Sequence, residues 1–122
     1  MILGIGVDII SVSRFESWVR NRRLASRFFI SEELDYIYSQ KEQATLSFAS
    51  HYAAKEAYGK ALGRGLRGMC LRDIAVSMQE GRPSLILQGT AKTFFDERGG
   101  KHCHVSLSHE RNASVALVII EG

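Results

Sequence analysis

Proline is almost missing from this chain: Pro83 is the only one in 122 residues. With no proline-rich, serine-rich or repeated tract to serve as a linker, the chain reads as one domain spanning residues 1–122. Cysteine is nearly as scarce. Cys70 and Cys103 imply no disulfide framework, and two thiols fit a reducing cytoplasm. Long apolar runs are absent too. The longest, Val115 to Ile120, falls far short of the roughly 20 residues a membrane helix needs. The first residues lack the basic stretch, apolar region and cleavage site of a secretory signal, so a cytoplasmic protein is expected.

The net charge of +3 is mild, but its distribution is uneven. Arg14, Arg20, Arg22, Arg23 and Arg27 face only Glu16 between positions 14 and 27. That segment carries +4, and the rest of the chain sums to −1. Phe15, Trp18 and Val19 add apolar positions beside the arginines. An aromatic among guanidiniums suits a protein interface. Aromatics interleaved on a sheet, as RNA stacking requires, are not evident.

Periodicity predicts the elements. Ile2 to Ile10 reads as a buried strand, with Leu3, Ile5, Val7 and Ile9 on one face and Gly4, Gly6 and Asp8 on the other. Ser13-Arg14-Phe15-Glu16 has the pattern of a capping box opening a helix to about Arg22, continued over Leu24 to Ile30. Ser31 is placed as the cap of a helix with Leu34, Ile37 and Tyr38 inward. A long helix is predicted from about Gln43 to Leu62, ended by a loop with Gly63, Gly65 and Gly68 that carries Arg64 and Arg67. Asp73 to Gln79 and Ser84 to Gln88 alternate as strands around a turn at Glu80 to Pro83. Thr90 opens a short helix stopped at Gly99 and Gly100, and His102 to Ser108 and Ala113 to Ile120 close the chain as strands. The order β-ααα-ββ-α-ββ predicts an α+β fold with a largely antiparallel sheet packed on the long central helix.

Glu56 and Lys60 stand one turn apart on that helix, in an apolar stretch where charges are costly unless paired or put to use. A surface Glu–Lys pair at this spacing would have the same signature. Asp8 is a lone acid in an apolar strand with small neighbours; capping the following turn is its ordinary alternative. Mg²⁺ takes one or two carboxylates and keeps its other positions for water and phosphate, so Asp8 and Glu56 would suffice if the fold joins them. His109, at a strand end, suits phosphate binding or proton transfer. The spacing of His102, Cys103, His104 and His109 is wrong for a zinc site.

Three segments together resemble the holo-acyl-carrier-protein synthase family of 4′-phosphopantetheinyl transferases. They are Gly4-Ile5-Gly6-Val7-Asp8-Ile9, then Phe48-Ala49 with Ala53-Ala54-Lys55-Glu56-Ala57 and Lys60-Ala61, and finally His104-Val105-Ser106-Leu107-Ser108-His109. Gly81-Arg82-Pro83 is similar to the family's Gly-Lys-Pro turn. The resemblance implies transfer of phosphopantetheine from coenzyme A to a serine of apo acyl carrier protein, releasing adenosine 3′,5′-bisphosphate, in support of fatty acid biosynthesis. It implies Mg²⁺, with Mn²⁺ a substitute, on Asp8 and Glu56, and catalytic roles for Asp8, Glu56 and Lys60. It implies coenzyme A contacts from Lys60, His109, Arg82, Pro83 and the position of His51. An acidic carrier would dock on Arg14, Trp18, Arg22, Arg23, Arg27 and Tyr52. A homotrimer with sites between subunits is implied, with no nucleic acid or membrane partner. The general base stays open among Glu56, a water on the metal and Glu110.

His51-Tyr52 stands where the family commonly has Arg-Phe. Histidine carries full charge only below about pH 6.5, so phosphate binding through His51 would weaken as pH rises past that value. Arg64 or Arg67 is the alternative source of charge. Two other functions compete. An RNA-binding or assembly module accounts for the arginines but not for Asp8, Glu56 and Lys60. A metal-dependent phosphohydrolase accounts for the acids but not for the docking segment.

Overall fold

The computed structural model covers residues 1–122, and its centre is helix α4, Ala44–Ala61. Thirteen of its 18 residues are buried, which is why its apolar and small side chains run around the whole circumference. A three-stranded sheet covers one side. It comprises β1 (Ile2–Ser11), β4 (His102–His109) and β5 (Ala113–Glu121), antiparallel in the order β1-β5-β4. β2 (Ile74–Gln79) and β3 (Arg82–Leu87) form a separate antiparallel hairpin. α1 (Glu16–Val19), α2 (Arg22–Ala25) and α3 (Ser31–Ser39) pack beside α4, and α5 (Gly89–Glu97) follows the hairpin. The α+β class and the antiparallel pairing are as expected; the strands divide into two sheets where the sequence suggested one.

Local chemistry explains several departures. Ser13 forms no capping box: a 3₁₀ turn over Val12–Phe15 precedes α1, and Ser13 Oγ pairs with Ser11 Oγ at 3.1 Å. The arginine segment is two single-turn helices broken at Arg20 and Asn21, whose side chain caps α2 by accepting from Leu24 N. The cap of α3 is Ile30, one residue before Ser31, because Glu33 reaches back to accept from Ile30 N at 3.1 Å. α5 starts at Gly89, ahead of Thr90. The β2–β3 turn is only Glu80-Gly81, both at positive φ (52° and 76°), so Arg82 and Pro83 lie within the strand.

β1 holds the main surprise. The apolar side chains of its outer face are not buried: Ile5, Val7 and Ile9 are 58%, 55% and 69% exposed. The face against α4 is the one that carries glycine. A Cβ on Gly4 would lie 1.9 Å from the Ala61 carbonyl oxygen, and one on Gly6 the same distance from that of Ala57. Strand backbone therefore sits directly on helix backbone, over small alanines. Leu3 leaves the outer face and packs on the core, because the register is irregular between Ile2 and Gly4. Gly6→Ala must push β1 off the helix. It should lower the unfolding free energy by about 1–3 kcal/mol, the usual cost of overpacking, as a reduced urea midpoint. An unchanged midpoint would mean that the strand does not depend on this close seat.

Candidate active site

The seating of β1 on α4 builds the site. Gly4 faces Ala61, Gly6 faces Ala57, and Asp8 is the next inward residue, so the first side chain on this face is a carboxylate. Lys60 Nζ donates to Asp8 Oδ1 at 3.0 Å and to the Val7 carbonyl at 3.2 Å. The Asp8 side chain is 15% exposed and Lys60 half exposed, so the pair sits at a mouth and not in the core. Lys60 is thus not desolvated, contrary to what its apolar neighbours suggested. Glu56 is partly buried one turn earlier on α4, with its charge near the Tyr52 hydroxyl.

Tyr52 connects this cluster to the arginine segment. Arg14 donates to its hydroxyl at 3.4 Å, and the Arg14 guanidinium lies 4.9 Å from its ring centre. Burial, then the nearby Glu56 charge, raise the Tyr52 pKa, so the hydroxyl stays protonated. Trp18 packs against Phe15, Phe28, Phe29 and Tyr52, with ring centres between 5.1 and 6.2 Å apart. Arg22 pairs with Asp35 at 3.0 Å, an exposed pair worth at most about 1 kcal/mol. Arg14, Arg22, Arg23 and Arg27 are all exposed.

His51, Pro83 and His109 meet elsewhere, around a cavity of about 440 Å³ between α3, α4, the hairpin and β4. Asp8, Glu56 and Lys60 do not line it, and Arg82 is exposed outside it. His51 is only 1% exposed. Burial lowers its pKa to about 4, so it carries no charge at neutral pH. The pH dependence expected of a titrating phosphate ligand at this position is thereby corrected.

The largest ionic feature was not read from the sequence. Lys55 Nζ, fully buried, donates to Glu33 Oε1 at 2.9 Å and to the Leu71 carbonyl at 2.8 Å. Glu33 also accepts from Ile30 N and from Val76 N at 3.0 Å. Burial pushes the Glu33 pKa up and the Lys55 pKa down, and their mutual attraction opposes both. The signal was present: Lys55 lies between buried alanines, and Glu33 sits three residues after a helix cap.

No group of three or more His, Cys, Asp or Glu side chains converges anywhere. Asp8 and Glu56 are hard oxygen donors on the paired β1 and α4, with the half-exposed Lys60 ammonium as the present counter-charge of Asp8. That donor set fits Mg²⁺, which needs only one or two carboxylates when phosphate and water supply the rest.

Comparison with known proteins places the chain's family and fold. The chain is 52% identical to a holo-[acyl-carrier-protein] synthase of Treponema denticola, with all of both chains covered. The crystal structure of holo-[acyl-carrier-protein] synthase from Neisseria meningitidis superposes with a TM-score of 0.87 at 31% identity, covering 100% of each chain. That of a holo-(acyl-carrier-protein) synthase from Bacillus anthracis, in complex with CoA (3′,5′-ADP), gives 0.80 at 32% identity, covering 98% of this chain and 96% of that one. Residues 4–118 match the 4′-phosphopantetheinyl transferase superfamily, and the chain belongs to that family.

Proposed function

We propose that this chain is a holo-[acyl-carrier-protein] synthase. It moves the phosphopantetheine arm of coenzyme A to a carrier serine and releases adenosine 3′,5′-bisphosphate, in the cytoplasm and in service of fatty acid synthesis. The observation that carries the reading is Asp8 joined to Lys60 beside Glu56, in a chain of this family. Transfer at phosphorus needs positioning and charge neutralisation more than covalent help. Asp8 and Glu56 would hold a divalent cation, which would supply charge neutralisation for the pyrophosphate. Lys60, held only by Asp8 and a carbonyl, moves onto the departing phosphate, where it stabilises developing charge. Glu56 lies near Tyr52 and is the chain's own candidate to accept the serine proton; Glu110, exposed beside His109, is the other. His109, Arg82 and Pro83 are assigned to the coenzyme A end. The direct assay mixes apo carrier, coenzyme A and Mg²⁺ and reads the added arm by intact mass. Asp8→Asn and Glu56→Gln should each reduce transfer about 100-fold or more without unfolding the protein. EDTA should stop it, and Mg²⁺ or Mn²⁺ should restore it. Undiminished turnover in chelator would remove the metal from the mechanism.

The carrier is assigned to the exposed arginines, with Trp18 and Tyr52 as the rigid aromatic floor beneath them. Acidic partners suit such a face because complementary charge steers encounter. Arg14→Glu should raise KM for the carrier about tenfold or more while leaving KM for coenzyme A nearly unchanged. Salt should weaken carrier binding, because exposed charges are screened over about 8 Å at physiological ionic strength. If the carrier KM responds to neither, the arginines are a solvated face.

The outer sheet face supports assembly. Ile5, Val7 and Ile9 on β1 stand opposite Ile119, Leu117 and Val115 on β5. A contiguous apolar sheet face of this kind marks an interaction surface. We assign it to contacts among three copies, with the cavity of one copy facing the Asp8 cluster of the next. Light scattering should report three chains; an active monomer would sink both the assembly and the shared site.

A further inference from the structure

The Tyr52 hydroxyl is a polar group that the packing around it leaves half used. The ring is fixed: its centre lies 5.3 Å from that of Phe15 and 6.2 Å from that of Trp18. A phenol has one proton to give and lone pairs to receive with, and it keeps the proton near neutral pH. Arg14 fills the receiving side, its Nη2 donating at 3.4 Å. A guanidinium can be met only by lone pairs, so it turns the hydroxyl proton away from itself. The carboxylate whose charge bears on the hydroxyl is Glu56. Residues four apart on a helix are neighbours on one face, and Glu56 stands four after Tyr52 on α4.

Glu56 is short of a partner. It is partly buried, yet it pairs with no lysine, arginine or histidine. Lys60, the next residue along that face, is turned to Asp8. The two oxygens of a carboxylate are alike until a neighbour singles one out. A metal-binding carboxylate is normally oriented by such an outer hydrogen bond. The donor has to be neutral here, since a cationic one at Glu56 would repel the metal charge. A hydroxyl meets both needs.

We propose that Tyr52 is a positioning residue of the metal site: its O–H donates to one oxygen of Glu56 and leaves the other for the divalent cation. The inference rests on Asp8 and Glu56 being the metal ligands, and it names what orients one of them. It gives Tyr52 two separate duties. The ring belongs to the floor of the carrier face, and the hydroxyl belongs to Glu56.

Tyr52→Phe separates the two, because it keeps the ring and removes one oxygen. Mn²⁺ is titrated into the whole protein with coenzyme A present and no carrier, and the free ion is read by electron paramagnetic resonance. Tyr52→Phe should bind Mn²⁺ about tenfold more weakly than the parent, the low end of what losing such an outer partner costs. In a Glu56→Ala background the same change should matter by no more than about twofold, since nothing is left to orient. The carrier KM should stay nearly unchanged. Equal Mn²⁺ affinity in parent and Tyr52→Phe overturns the proposal. So does a loss of the same size in both backgrounds, which is what a general disturbance of the fold would give. A raised carrier KM with Mn²⁺ binding intact also overturns it and returns the hydroxyl to the docking face. A parent that binds no Mn²⁺ removes the metal reading and the proposal with it. Weakened Mn²⁺ binding in Tyr52→Phe, in a protein that transfers nothing to carrier, removes the synthase reading and leaves the Tyr52 assignment standing.

Discussion

The rest of the structure depends on strand backbone lying on helix backbone. β1 approaches α4 so closely that Gly4 and Gly6 have no room for a Cβ, and the helix answers with Ala57 and Ala61. Side-chain direction alternates along a strand, so this one seat has two results. Inward, the glycines are followed by Asp8, whose carboxylate emerges where Lys60 can reach it. Outward, Ile5, Val7 and Ile9 are turned to the surface. The carboxylate and the apolar face have a single cause. A strand reversed in register would bury the isoleucines, but it would carry Asp8 away from the helix.

α4 carries two lysines with opposite duties. Lys55 is sealed in the core and ties three elements together through Glu33: the start of α3, β2 at Val76, and α4 itself. Removing one partner of such a pair costs about 3–5 kcal/mol, because the other charge is left buried. Lys60, five residues on, is half exposed and holds only Asp8 and one carbonyl. A cation meant to meet an anionic substrate must not be locked, and one meant to fix architecture must be. The Glu33–Lys55 pair also fixes the cavity, since it anchors the helix and hairpin that form its walls.

Much of this was legible in the sequence. The long helix and the five strands follow from periodicity, and the family from its motifs. What was misread has physical reasons. A strand of Ile, Val and Leu looks buried whichever way it faces, and only a neighbouring backbone reveals that the glycines are the inner side. Ser13 and Ser31 look like caps because residue type does not show where a chain leaves its extended conformation; Asn21 and Glu33 took those roles through their own reach. Lys55 and Lys60 share almost the same sequence surroundings. Their difference is tertiary: one meets Glu33, from 22 residues upstream, and the other meets the open end of β1. His51 is the sharpest case. The sequence suggested a titrating phosphate ligand there, but α3 covers it, with the Tyr36 ring centre 5.8 Å away.

On the proposed function, these placements divide a large ligand pair by charge. Positive charge is concentrated on the α1–α2 segment, where an acidic protein docks, and on Lys60, where the pyrophosphate reacts. The cavity beside His51 is lined by no Lys, Arg, Asp or Glu. Arg14 and Tyr52 join the two cationic regions, because the docking arginine donates to a hydroxyl that lies near the Glu56 charge. On the proposed function, carrier binding at Arg14 would therefore bear on the carboxylate nearest the reaction.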